Sequence, residues 1–427
     1  MKPIEVVLLG AGSRGFFAYG NYALKRPDKL KIVAFAEPDA GKRDRFARAH
    51  GIPEDRCFAE WKLLLDRPKL ADYLINATMD QEHLESTVAA FQRGYHVLLE
   101  KPMATDPLSC LKIVKAAEIS GRKLDISHVL RYTPFFQTIK AVIDSGSLGR
   151  ILSVEHKENV AFYHYAHGFV RGNWRSEHTS SPMLLAKCSH DLDILVWLLG
   201  EQVKKVSSFG SLSYFNRQSM PPGAAARCTD GCPAEETCAY STLKHYLGKE
   251  LTWLNDGISL DTSYEGRLKA LQESDIGRCV FQCDNDVVDH QVVNMEFANG
   301  ATVSFTMSVA AEVNRKTTIF GTDGELYGDL EHNRITVKRY VHSSLTRTSA
   351  EEIELLNIRG GHNGGDPGLL DSFVRDAHHH EEDGSMITSA RQSLLSHLLA
   401  FAAEQSRKEG KVVLMDDYIA SLERQAE

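Results

Sequence analysis

Four apolar residues, Val6-Val7-Leu8-Leu9, run straight into Gly10-Ala11-Gly12-Ser13-Arg14-Gly15, and nothing else in the chain restricts the fold as strongly. A short strand that breaks into G-x-G-x-x-G and continues as a helix is the dinucleotide-binding fingerprint of a βαβ unit. Gly10 permits the tight turn, Gly12 lets the backbone approach a pyrophosphate, and Gly15 lets the helix pack on the strand. The phosphate charge would rest on unpaired N–H groups at the helix start, with Ser13 beside them and Arg14 as an added cation.

A second apolar run, 31–36, ends at Glu37, close to the roughly 20-residue offset at which an acid bonds the ribose hydroxyls. A carboxylate there repels a 2′-phosphate, which favours NAD over NADP; Arg43 and Arg45 nearby would soften that preference. Strands and helices alternate over residues 1–127, as expected of an α/β domain with a doubly wound parallel sheet. Strands at 70–78 and 95–99 end in Asn76-Ala77-Thr78 and Glu100-Lys101-Pro102, small and polar residues suited to a cofactor crevice, and His83 opens the helix after the first. Residues 128–427 form a second domain. Within it, alternating strands at 151–160, 203–214, 287–297 and 302–309 predict a large, mostly antiparallel open sheet, with Ala298-Asn299-Gly300 as a hairpin turn. Helices are expected at 369–377 and 390–408, with a solvated His378-His379-His380 run after the first. Residues 215–286 are too long for an ordinary connection and read as an insertion.

The 427 residues suffice for two cores, and a net charge of -8 gives no reason to expect nucleic acid or an anionic membrane as partner. A small molecule is the expected ligand. With no leader ahead of the first strand and no run of about 18 apolar residues, the expected location is the cytoplasm. Eight cysteines in such a chain fit reduced thiols or metal ligands. Five lie in the insertion. Cys228, Cys232, Cys238 and Cys279, with Cys283 as an alternative fourth ligand, could hold a structural zinc that staples a segment with no core of its own; reduced, partly buried thiols are the other reading.

Gly10-x-Gly12-x-x-Gly15, Glu37-Pro38-Asp39, Asn76-Ala77-Thr78, Glu100-Lys101-Pro102, Arg131-Tyr132 and His190-Asp191-Leu192-Asp193 occur in an order that resembles the family of glucose-fructose oxidoreductase and inositol 2-dehydrogenase, often called Gfo/Idh/MocA. The similarity covers nearly the whole chain apart from the insertion. It implies a Rossmann domain followed by an α+β domain whose open sheet joins copies into a homodimer or homotetramer. It also implies that Lys101 lies near the nicotinamide and the reacting hydroxyl, where a cation stabilises developing oxyanion charge or moves a proton. The Lys101–Pro102 bond is often cis in such proteins. His190 matches the histidine that bonds the substrate hydroxyl, with Asp193 able to support its helix face.

Many relatives carry an aspartate four residues before that histidine; here the position is Ala186. Lys187 is the nearest replacement. Two lysines close together depress one another's pKa, so one of them could serve as a neutral base. Trp174 and Arg175 fall where relatives place substrate contacts, although Trp174 equally suits a core. His128, Arg131, Tyr132, Tyr163, His164, His167 and Asp191 are further candidates for lining the site. The resemblance thus implies an NAD-dependent dehydrogenase of a sugar or cyclic polyol. Two alternatives stand beside it: a glycoside hydrolase that uses NAD for transient C3 oxidation and elimination, and a non-catalytic sensor of NAD or sugar.

Overall fold

The computed structural model describes residues 2–200, 202–341, 348–355, 360–379 and 388–426. His380, the last of the histidine run, lies outside the described residues. The first sheet contains β1 (Ile4–Leu9), β2 (Leu30–Ala36), β3 (Cys57–Phe58), β4 (Tyr73–Asn76), β5 (His96–Leu99) and β6 (Leu124–Ile126), all parallel, in the order β3-β2-β1-β4-β5-β6. Helices cover both faces, which is why Val6 to Leu9 are all fully buried. Local chemistry starts these helices. Asp39 accepts from the backbone N–H of Lys42, and Asp106, followed by Pro107 at the first helical position, accepts from Ser109. The segment after the glycine turn is π-wound over Arg14–Gly20 before continuing as an α-helix over Asn21–Lys25.

The second sheet has nine strands: β7 (Ile151–Ala161), β8 (Val203–Ser211), β9 (His290–Phe297), β10 (Thr302–Ala310), β11 (Asn314–Gly321), β12 (Gly324–Asp329), β13 (Arg334–Tyr340), β14 (Thr348–Glu354) and β15 (Val413–Leu414). Their order is β14-β13-β12-β11-β7-β10-β9-β8-β15, and every pairing except β7 with β10 is antiparallel. Ala298-Asn299-Gly300 makes the expected hairpin, with Gly300 at φ 83°. The helices Ser189–Leu199 and Ala390–Glu409 pack on one face of this sheet. The other face carries exposed side chains, Leu152 and Phe209 among them.

One helix of the later chain returns to the first sheet. Leu369, Leu370, Phe373 and Val374 of the helix Gly365–His378 share a core with Val6, Leu8 and Ile75. That return carries the segment before the helix, Gly361–Gly364, over the glycine turn.

The insertion differs from the expectation of an irregular segment without a core. It contains the helices Thr242–Tyr246, Trp253–Asp256 and Tyr264–Glu273, and Tyr246, Leu254 and Leu271 form a small cluster of their own. A second aromatic cluster joins Tyr240 and Phe281 to Tyr214 and Phe215. The zinc expectation is overturned: among the described residues no group of three or more His, Cys, Asp or Glu side chains is placed to hold a metal ion. Cys228, Cys232, Cys238 and Cys279 instead line a small, mainly apolar pocket beside Tyr240 and Phe281, and all are free thiols. Cys283 donates to the Cys279 carbonyl at 3.3 Å. Burial pushes the thiols of Cys238, Cys279 and Cys283 up.

Candidate functional site

Strand order reverses between β1 and β4, and an open α/β sheet binds its ligand outside the carboxyl ends of such neighbours. The glycines at this crevice divide their work as expected. Gly10 has φ +84°, and a Cβ there would sit 2.3 Å from the Ala77 carbonyl oxygen; at Gly15 it would sit 2.0 Å from that of Gly10. Around Gly12 nothing lies within 4 Å, so its backbone stands open to a ligand. Glu37, buried at the end of β2, accepts from the backbone N–H groups of Ala11 (2.9 Å) and Asp39 (3.0 Å). Lone pairs of the carboxylate remain for ribose hydroxyls. These features fit a dinucleotide. Arg43 donates to the carbonyls of Glu37 and Pro38, and Arg45 lies over Phe16, so both guanidinium groups are engaged within the fold.

Arg14 has a different role from the one its position in the motif suggests. Its Nε donates to Glu100 at 2.6 Å, and Nη1 and Nη2 grip Asp366 at 3.0 Å each. Glu100 also accepts from the Tyr19 hydroxyl at 2.7 Å. Arg14 therefore ties the glycine turn to the end of β5 and to the segment around His362. Burial of the two carboxylates is offset by that guanidinium, which holds both Glu100 and Asp366 below the usual range. Asn76 is fully buried and donates to Ser86 and Thr87, while its oxygen accepts from the Thr78 hydroxyl at 2.8 Å. His83 is buried too, one ring nitrogen 2.8 Å from the Pro102 carbonyl and the other 3.2 Å from that of Thr78. It braces the cis Lys101–Pro102 bond rather than facing the crevice.

Lys101 extends from the end of β5 and donates to the Ala186 carbonyl at 2.9 Å. Burial, and then the charge of Lys187, push its pKa down to about 8, while Glu100 and Asp80 act in the opposite direction. Lys187 reaches Glu158 at 3.4 Å. His190 is buried and neither ring nitrogen has a hydrogen-bond partner among the described residues. Its ring lies 6.0 Å from that of His128 and 5.5 Å from that of His362. Burial first, and then Lys101, keep His190 neutral, its pKa well below the usual histidine value. An unpaired buried imidazole beside an ammonium is what a hydroxyl-bearing ligand would satisfy.

Several other candidates are held by partners within the fold. Arg131 grips Asp193 through two bonds of 2.7 and 2.6 Å and also bonds Gln392, all in the interior, so neither member of the pair faces a ligand. Asp193 also accepts from Ser396, which ties His190's helix to the long helix above it. Asp191 accepts from Arg315 at 2.7 Å and stands 3.1 Å from His156, beneath the site and fully buried. Arg175 is bound by Asp275, Asp284 and the Gly172 carbonyl, at the edge of the insertion. Trp174 donates to Asp80 at 3.2 Å and packs on Phe169. The Tyr132 hydroxyl meets Thr388.

Two residues outside the named site candidates come to the site. His362 is held by Asp366 at 3.1 Å, and both His362 and Asn363 adopt left-handed backbone angles (φ 51° and 52°), a conformation side chains resist. Glu158 belongs to β7, where Val154, His156, Glu158 and Val160 alternate inward. Polar residues at core positions of an alternating strand were a signal available from sequence. From the insertion, Trp253 lies with its ring 5.0 Å from His164 and 5.5 Å from His167, while His167 bonds the Tyr246 hydroxyl.

Sequence comparison agrees with this geometry. Residues 4–128 match the profile described as an oxidoreductase family, NAD-binding Rossmann fold, and residues 140–415 match that of its C-terminal alpha/beta domain. The chain belongs to the Gfo/Idh/MocA oxidoreductases. Among family members, YteT of Bacillus subtilis is 26% identical over 86% of this chain and 88% of its own. Inositol 2-dehydrogenase of Streptomyces avermitilis is 32% identical over 48% of this chain, a match spanning 55% of the relative's length. A levoglucosan dehydrogenase solved with NADH superimposes with TM-score 0.72 over 97% of this chain and 99% of its own, at 18% identity, a likeness of fold. Among the described residues no helix of this oxidoreductase is long and apolar enough to cross a membrane.

The glycines offer a test of the cofactor cradle. Gly15→Ala is expected to lower the melting temperature by several degrees, because its Cβ would meet backbone at 2.0 Å. Gly12→Ala, with open space around it, is expected to melt like the wild type yet bind NAD about tenfold more weakly, since the methyl would occupy the pyrophosphate's place. Calorimetric titration with NAD beside thermal unfolding separates the two.

Proposed function

We propose that this oxidoreductase is an NAD-dependent dehydrogenase that moves hydride between a ring carbinol of a sugar or cyclic polyol and nicotinamide. The observation that carries the reading is the buried, unpartnered His190 imidazole beside the Lys101 ammonium at the strand-order switch. Residues around Gly12 and Glu37 would hold the dinucleotide, and NAD, when bound, supplies the hydride acceptor at C4 of its nicotinamide. His190, neutral, orients the reacting hydroxyl through one ring nitrogen. Lys101, in its free-amine form, takes the hydroxyl proton as the carbinol is oxidised, and in the reverse direction its ammonium returns that proton to the alkoxide oxygen. The relatives named inositol 2-dehydrogenase and levoglucosan dehydrogenase support a polyol or sugar as the substrate class. Contact between copies through the open face of the large sheet, where Leu152 and Phe209 are exposed, belongs to the same proposal.

A second reading rests on the His362–Asp366 pair, whose ring stands 5.5 Å from that of His190. Elimination of an aglycone after transient C3 oxidation needs a further acid or base, and in this reading His362 would supply it. A panel of free sugars, polyols and chromogenic glycosides, followed for both NADH and released aglycone, decides between them. The dehydrogenase forms NADH in step with substrate consumed; release of aglycone without net NADH would give the second reading preference.

A further inference from the structure

We infer that Glu158, on β7 beneath the site, is a positioning residue that keeps Lys187 cationic and so makes Lys101 the lysine that gives up its proton. This rests on the dehydrogenase reading for its consequence but not for its test. The geometry is a chain of alternating charge. Lys187 stands 3.4 Å from Glu158, Glu158 stands 3.0 Å from Arg315, and Arg315 stands 2.7 Å from Asp191. Glu158, Asp191 and His156 are fully buried, and Arg315 nearly so. His156 completes the cluster, its second ring nitrogen meeting the Thr317 hydroxyl at 2.8 Å.

Charge balance supplies the argument. Two buried carboxylates, Glu158 and Asp191, require two cations, and Arg315 is only one. Burial pushes the Glu158 carboxyl up, and Arg315 and Lys187 act against that, so an ionised Glu158 and a cationic Lys187 support one another. Lys187 is therefore the fixed cation of the pair. Lys101 faces Lys187, Glu100, Asp80 and Arg14, and the two carboxylates there are already engaged: Glu100 by Arg14 and Tyr19, Asp80 by Trp174. Among the described residues nothing comparable anchors the Lys101 ammonium, which donates to the Ala186 carbonyl. His164 and His190, which face the two lysines, are held neutral by burial and add no charge.

Glu158 thus acts through Lys187 rather than on the substrate. In Glu158→Gln the cluster has one carboxylate for two cations, so Lys187 should release its proton more readily.

Trace labelling of the full-length protein with acetic anhydride, which reacts only with free amines, tests this without any substrate. Peptide mass spectrometry at about pH 7.5 reads each lysine separately. In the wild type Lys101 should label faster than Lys187. In Glu158→Gln, labelling of Lys187 should rise about tenfold, the change expected when one nearby counter-charge is removed. Glu158→Asp should keep the wild-type order. In Lys187→Met the repelling cation is gone, and labelling of Lys101 should fall severalfold. Lys187 reactivity unchanged in folded Glu158→Gln, or Lys101 reactivity unchanged in Lys187→Met, overturns the proposal; should Glu158→Gln not fold, the Lys187→Met result decides it. Absence of NADH from every substrate would instead count against the dehydrogenase reading, and the lysine reactivities would still stand.

Discussion

Replacing Lys101 with methionine is expected to lower kcat/KM by about a thousandfold while leaving NAD affinity within a few-fold of the wild type. That loss corresponds to about 4 kcal/mol of transition-state stabilisation, the scale of one positioned proton acceptor whose charge also answers a developing oxyanion. Steady-state kinetics beside NAD titration measures both quantities, and turnover within tenfold of the wild type would refute the role. The pH dependence has a defined sign. With the Lys101 pKa pushed down to about 8, the free amine accumulates as pH rises through that value. Oxidation of the carbinol should therefore accelerate across about pH 7 to 9 and level off above it, whereas reduction, which needs the ammonium, should slow over the same window. Lys101→Arg should remain inactive in oxidation at every accessible pH, because a guanidinium does not release its proton.

The largest effect on stability is expected at Arg131. Its guanidinium and the Asp193 carboxylate meet through bonds of 2.7 and 2.6 Å, and each side chain is 1% exposed. Arg131→Met would leave Asp193 buried without its guanidinium partner, beside Ser396 at 3.4 Å and His128 at 3.6 Å. Breaking one side of such a pair destabilises by about 3–5 kcal/mol, and the melting temperature should fall by about 3–6 °C. The double substitution Arg131→Met with Asp193→Leu should recover most of that loss, since removing both charges removes the stranded one. Thermal unfolding of the two variants gives the comparison. If the double variant were no more stable than the single one, the penalty would lie in packing around Trp197, over whose ring the guanidinium sits at 5.8 Å, and not in the unpaired carboxylate.

The zinc expectation shows where sequence spacing misleads. Cys228, Cys232 and Cys238 are close in sequence, and the insertion was expected to have no core of its own. Tyr246, Leu254 and Leu271 supply that core from three short helices, and the thiols become part of an apolar wall. Arg14 and Arg175 misled differently. Each lies at a position where a free cation would serve a ligand, but carboxylates far away in sequence, Asp366 for one and Asp284 for the other, had already claimed them.

Read alone, the sequence determined the parallel first sheet, the turn that needs glycine at Gly10 and Gly15, and the candidacy of Lys101 and His190. These depend on turn geometry, on burial periodicity and on neighbours a few residues apart, all of which are written in adjacent residues. Tertiary structure alone decided that Arg14 would clasp Asp366, that His362 would stand beside His190, and that Glu158 would support Lys187. Glu158 and Arg315 are direct partners across β7 and β11, so their contact exists only in one register. A shift of one residue would turn them to opposite faces of the sheet, and no local pattern in either strand fixes which residue of the other it will meet.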